Sequence, residues 1–157
     1  MTRTLQICAL LAAVAFLSSG CETATAADGT FTSLYDSYFS SCAGCHSPGN
    51  RDGKEGIETS LNFADAKSAY DTLTGGSAAG LQAPYDGCNG VKFIASGDPS
   101  KSLIVAVLDE SVRKNIDLSG KDCGADTITD MSLKAGEPPA GFVTSLKAWI
   151  TAGAPND

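Results

Sequence analysis

Cys42-Ala43-Gly44-Cys45-His46 places two thiols three positions apart, with an imidazole directly after the second. That spacing is the attachment pattern of a c-type haem. On one helical turn each sulfur reaches one vinyl group of the porphyrin as a thioether, and the adjacent histidine then sits under the iron. Covalent tethering presents His46 to the metal at high effective concentration and makes it the expected proximal ligand. The rival chemistries have less behind them. A zinc site needs a second pair of ligands, whereas Cys88 and Cys123 stand alone and the chain has a single histidine. A thioredoxin-like CxxC normally lies where a strand feeds a helix, and the residues before Cys42 read as a helix. A Cys42–Cys45 disulfide would leave His46 without a reason.

The elements expected to carry this motif are helices. Phe31, Leu34, Tyr35, Tyr38 and Phe39 recur at helical spacing and predict an amphipathic helix running into Cys42. Residues 47–60 are polar and glycine-rich and read as a surface loop. Phe63, Ala66, Tyr70 and Leu73 predict a second helix, with Asn62 as its N-cap. Residues 74–90 form another loop that carries Cys88. Asp98-Pro99 reads as a cap followed by proline at the first helical position, opening the apolar run Leu103 to Leu108. Pro138-Pro139 open a last helix through Phe142, Val143, Leu146, Trp149 and Ile150, which stops at Gly153-Ala154-Pro155.

Four helices, long loops and CxxCH after the first helix resemble class I cytochrome c. Gly97-Asp98-Pro99-Ser100-Lys101-Ser102-Leu103, then Cys123-Gly124, then Met131, then Trp149-Ile150-Thr151-Ala152-Gly153-Ala154 are similar to exported bacterial monohaem domains with a GDPxxSL…CG…M…WIxxGA pattern. The resemblance covers residues 31–154. It implies an all-α fold in which the terminal helices cross around one covalently bound haem, and it implies Met131 as the second axial ligand. The family usually follows that methionine with proline, and here Ser132 follows it. A looser ligand loop motivates the alternative to an electron carrier, a haem sensor or small haem enzyme whose sixth site is labile or open. Met131 as a core gap-filler is the bland alternative.

Thr2-Arg3-Thr4 and the uncharged apolar run Leu5 to Leu17 precede the domain. A spanning helix needs about 20 apolar residues and a signal-peptide core about 7–15, so residues 1–20 are expected to be an export signal. Leu17-Ser18-Ser19-Gly20-Cys21 resembles the lipobox of bacterial lipoproteins, with Ser18 where leucine is usual. The resemblance implies a lipidated Cys21, a linker over residues 21–30 and anchorage on the periplasmic side of a membrane. By the same resemblance, Glu22 after Cys21, in place of the aspartate associated with inner-membrane retention, implies the outer membrane where a cell has two. Ordinary secretion, with cleavage after Ala26 or Ala27, is the alternative. Cys8 lies in the signal core, so Cys88 and Cys123 remain as an expected disulfide in an oxidising compartment, with two buried free thiols as the other possibility.

The chain has 157 residues, 18 acidic against 11 basic side chains and a net charge of −7. That length gives one domain, and without a basic cluster nucleic acid is not an expected partner. One histidine excludes three-histidine zinc centres, bis-histidine haem and HExxH proteases. With His46 on iron, none is left for acid–base catalysis, so no enzyme activity is expected of the carrier. Its partners would be other cytochromes, copper proteins or a membrane oxidoreductase. The aspartates of the second half, Asp86, Asp98, Asp109, Asp117, Asp122, Asp126 and Asp130, read as a solvated acidic face.

Overall fold

Thr30 has extended backbone, and its hydroxyl oxygen accepts from the Ser33 amide at 3.2 Å, which starts the first helix. In the computed structural model, residues 29–48, 61–77, 86–116, 118, 123, 126 and 128–157 are described. The expected export signal, Cys21 and most of the linker lie outside them. So do most of the 47–60 loop and residues 78–85.

The first helical run comprises α1 (Phe31–Leu34), a π-helical segment (Tyr35–Phe39) and α2 (Ser40–Cys42). The predicted helix is therefore present, with an added π segment just before the cysteines. Phe31, Leu34, Tyr38 and Phe39 are buried along it. The second helix, α3, spans Ala66–Gly75. Its N-cap is Asp65, whose carboxylate accepts from the Ser68 amide at 2.8 Å, and not the expected Asn62. Asn62 instead closes a turn on the Ala64 amide, and Phe63 lies ahead of the helix.

Asp98 caps a short 3-10 turn, Pro99–Lys101, so the cap and proline open a turn and not the helix itself. Ser102 is extended and fully buried; its Oγ accepts from Ala95 N at 2.9 Å and donates to the Asp98 carbonyl at 2.9 Å. The apolar run begins after that break, as α4 (Leu103–Ala106). Two further helices were not legible by periodicity: α5 (Glu110–Asn115) and α6 (Ser132–Ala135). The last helix, α7, runs Phe142–Thr151 behind Gly141, whose φ of 83° is open to glycine at little cost. Another 3-10 turn, Asp86–Cys88, precedes the isolated bridge partner Lys92, which pairs with Ser77. Among the described residues, every named element is helical, in keeping with the all-α expectation.

The core forms where α1 meets α7 and α3. Phe31 lies 5.2 Å from Trp149 and 5.3 Å from Tyr70 between ring centroids, and Phe39 meets Phe142 edge to face at 5.2 Å. The end of the chain closes this region: Trp149 Nε1 donates to the Pro155 carbonyl at 2.9 Å, and Asp157 accepts from the Phe31 amide at 2.8 Å. A carboxylate on the first amides of α1 also matches the positive end of the helix. No helix among the described residues is long and apolar enough to cross a membrane.

Candidate functional site

Immediately after α2 the chain turns back on itself. The amides of Cys45 and His46 both donate to the Cys42 carbonyl, at 3.1 and 2.8 Å. That turn buries His46, which is 8 % exposed, while Cys45 stays exposed. Phe63 completes the support: its amide donates to the His46 carbonyl at 2.6 Å, and its ring stands edge to face with the imidazole, centroids 5.9 Å apart.

A cavity of about 500 Å³ opens beside the turn, and Cys42, Cys45, His46 and Met131 all line it. Most of the remaining wall is apolar, including Phe39, Phe63, Phe93, Ile104, Val107 and Leu108. Among the described residues of the lining, Lys134 is the one Lys, Arg, Asp or Glu. A cavity of this size and character suits a large apolar cofactor with a few polar groups.

The donor chemistry fits a c-type haem. Both thiols are free and not joined to each other, so the structural-disulfide alternative is not realised. Burial pushes the Cys42 thiol up to about 11, against the opposing Ser41 hydroxyl. A thioredoxin-like attacking thiol needs a shift in the other direction. No group of three or more His, Cys, Asp or Glu side chains that would hold a bare metal ion occurs among the described residues.

Met131 enters the cavity wall at the start of α6. Its amide donates to the Val107 carbonyl at 2.8 Å, just past α4. The preceding Asp130 uses one oxygen on the Ser132 amide and hydroxyl, at 3.0 and 2.6 Å. The other oxygen meets Arg113 of α5 at 2.6 Å. Arg113 is 9 % exposed and also donates to the Ala106 carbonyl at 3.1 Å. The segment that was expected to be loose for want of a proline is thus held to α4 and α5 by polar contacts.

The Cys88–Cys123 disulfide is formed, with Cα atoms 4.6 Å apart and both residues buried. Cys88 also lines the cavity. Sequence reasoning missed Tyr38 and Lys134 as lining residues and Arg113 and Asp130 as supports. Tyr38 lies on the apolar face expected of the first helix; its hydroxyl donates to the Gly136 carbonyl at 2.8 Å, and burial pushes its phenol up to about 12. The signal for Arg113 was an Asp109 cap ahead of a short polar helix, which periodicity does not register.

The aspartate series is not simply a solvated face. Asp98, Asp109 and Asp130 close turns or helix starts, and Asp109 pairs with Lys147 at 2.6 Å. Compared with family models, curated proteins and solved structures, the chain finds no match.

Proposed function

We propose that this chain is an exported monohaem c-type cytochrome domain that carries electrons. The observation behind this reading is that one apolar cavity gathers Cys42, Cys45, His46 and Met131, two of them free thiols at CxxCH spacing. Haem held there supplies the Fe(III)/Fe(II) couple. The Cys42 and Cys45 thiols would hold it by adding each S–H across a vinyl double bond. His46 would offer the iron a ring nitrogen, from an imidazole supported by Phe63. Met131 would offer a thioether sulfur, a donor that favours the reduced metal relative to a second nitrogen ligand. The apolar walls from Phe39, Phe63 and Ile104 keep water away and lower the local dielectric. Electron transfer asks for no acid, base or nucleophile.

The packing of α1 against α7 supports a class I cytochrome c arrangement. The anchor at Cys21, the periplasmic location and redox partners such as other cytochromes, copper proteins or a membrane oxidoreductase belong to the same proposal and rest on the sequence. An acidic chain favours a basic docking face and salt-dependent association.

Absorption spectra of the purified holoprotein, oxidised and reduced, with and without carbon monoxide, test the reading beside a Met131→Ala variant. The expected result is haem that survives denaturation covalently bound, and a near-red sulfur-to-iron band that the variant loses. Reduced wild type should show no carbon monoxide shift. A protein that incorporates no covalent haem ends the proposal, and a high-spin wild-type spectrum removes Met131 from the iron.

A further inference from the structure

We propose that Arg113 is a positioning residue that latches the Met131 sulfur in place through Asp130. The inference rests on the proposed His46/Met131 reading and adds to it the element that keeps the sixth position closed.

The latch follows from how Arg113 is satisfied. Its side chain is 10 % exposed, on α5, and its guanidinium divides its bonds between a backbone group and a carboxylate. One nitrogen donates to the Ala106 carbonyl at 3.1 Å, at the end of α4; another donates to Asp130 Oδ2 at 2.6 Å. A guanidinium this buried is costly to leave unpaired, so the carboxylate is held to the place where the charge needs it. Asp130 is the residue before Met131. Its second oxygen is tied to the Ser132 amide and hydroxyl on the far side of the methionine, so residues 130–132 form one small rigid unit. The Met131 amide adds a third tie, to the Val107 carbonyl at 2.8 Å.

Moving the sulfur away from the cavity by a backbone displacement therefore has to break the Arg113–Asp130 contact or drag α5 with it. The backbone bond to Val107 alone is a neutral hydrogen bond and a weaker hold than a charge-assisted one. Proline after the methionine would stiffen such a segment through its fixed φ. Here an ion pair from a neighbouring helix does that work. The consequence is a sulfur that stays in place while Arg113 is paired and becomes displaceable when it is not.

The test uses the holoprotein with Arg113→Met, Arg113→Lys and Asp130→Asn. Three readouts are taken: the near-red sulfur-to-iron band, carbon monoxide binding to the reduced protein, and hydrogen exchange of the Met131 amide against that of Ala154. The Ala154 amide bonds to the Trp149 carbonyl and reports the remote α1–α7 region. Arg113→Met is expected to weaken the band, to speed carbon monoxide binding about tenfold or more, and to accelerate Met131 exchange by a similar factor with Ala154 unchanged. Arg113→Lys keeps the charge without the fork and should fall between the two. Asp130→Asn removes the ion pair while its side-chain oxygen can still cap Ser132. It should repeat the loss and carries the test if Arg113→Met does not assemble.

Band, carbon monoxide kinetics and Met131 exchange that match wild type in these variants overturn the latch. Acceleration at Ala154 equal to that at Met131 also overturns it, since Arg113 would then serve general stability. A wild type that has covalent haem but no sulfur band overturns the axial assignment itself, and the latch with it.

Discussion

Asp109 shows how one side chain joins two parts of the molecule. Its Oδ1 accepts from the Ser111 amide at 2.8 Å and hydroxyl at 2.6 Å, capping α5, while Oδ2 accepts from Lys147 of α7 at 2.6 Å. Burial raises its pKa, but the Lys147 ammonium and the Ser111 bonds outweigh that and hold it at about 2. Because the folded-state value lies below the unfolded one, the stability Asp109 contributes is full above about pH 4 and is lost as pH falls toward 2. Lys147 is about a third exposed, so solvent screening limits the contribution to about 1 kcal/mol. Urea unfolding of wild type and Asp109→Asn should therefore differ by about that amount at pH 6 and converge near pH 2. A difference that persists unchanged at pH 2 would assign the effect to the amide's geometry and not to the charge.

At the scale of elements, helix ends are decided by single atoms. Gly76 follows α3, and a Cβ placed there would lie 2.2 Å from the Thr72 carbonyl oxygen and 3.3 Å from the Phe93 ring. Backbone is the obstacle, so it cannot swing aside as a side chain would. Gly76→Ala is expected to lower stability by about 1–3 kcal/mol, and a thermal melt within about a degree of wild type would show that the chain relaxes there freely. Such ends explain what sequence reading of the elements achieved. The apolar stripes of the first and last helices were legible, because Phe31, Leu34, Phe39 and Phe142, Leu146, Trp149, Ile150 face one core. The π segment was not, because a widened turn leaves no mark in composition. Asn62 and Asp65 are both competent caps, and only the chain's path around Phe63 chose between them. α5 and α6 are too short to show a period and owe their existence to tertiary contacts.

For the whole molecule, the Cys88–Cys123 bridge closes a loop with a sequence separation of 35 residues beside the cavity. Its removal in a Cys88→Ala/Cys123→Ala double variant is expected to cost about 3–4 kcal/mol by the chain-entropy argument. Equilibrium unfolding of the holoprotein measures this, and a loss under about 1 kcal/mol would mean that the loop is already ordered in the unfolded chain or held by other contacts. The aromatic contacts of Phe31, Tyr70 and Trp149 and the Asp157 bonds to α1 lie in the α1–α3–α7 core, so they should survive that change better than the cavity wall.

The amino-acid sequence by itself determined the chemistry available: two thiols and an imidazole at CxxCH spacing, one methionine besides Met1, a further pair of cysteines at 88 and 123 and no second histidine. It also determined that the elements would be helical, since periodicity records which residues share a face. Only the tertiary structure decided that Met131 borders the same cavity as His46, and that Asp130 and Arg113 brace it. Those are contacts between residues distant along the chain, and their selection depends on how α4, α5 and α6 settle around a common space. No local pattern encodes that, because each of the three helices is short and takes its place from the others.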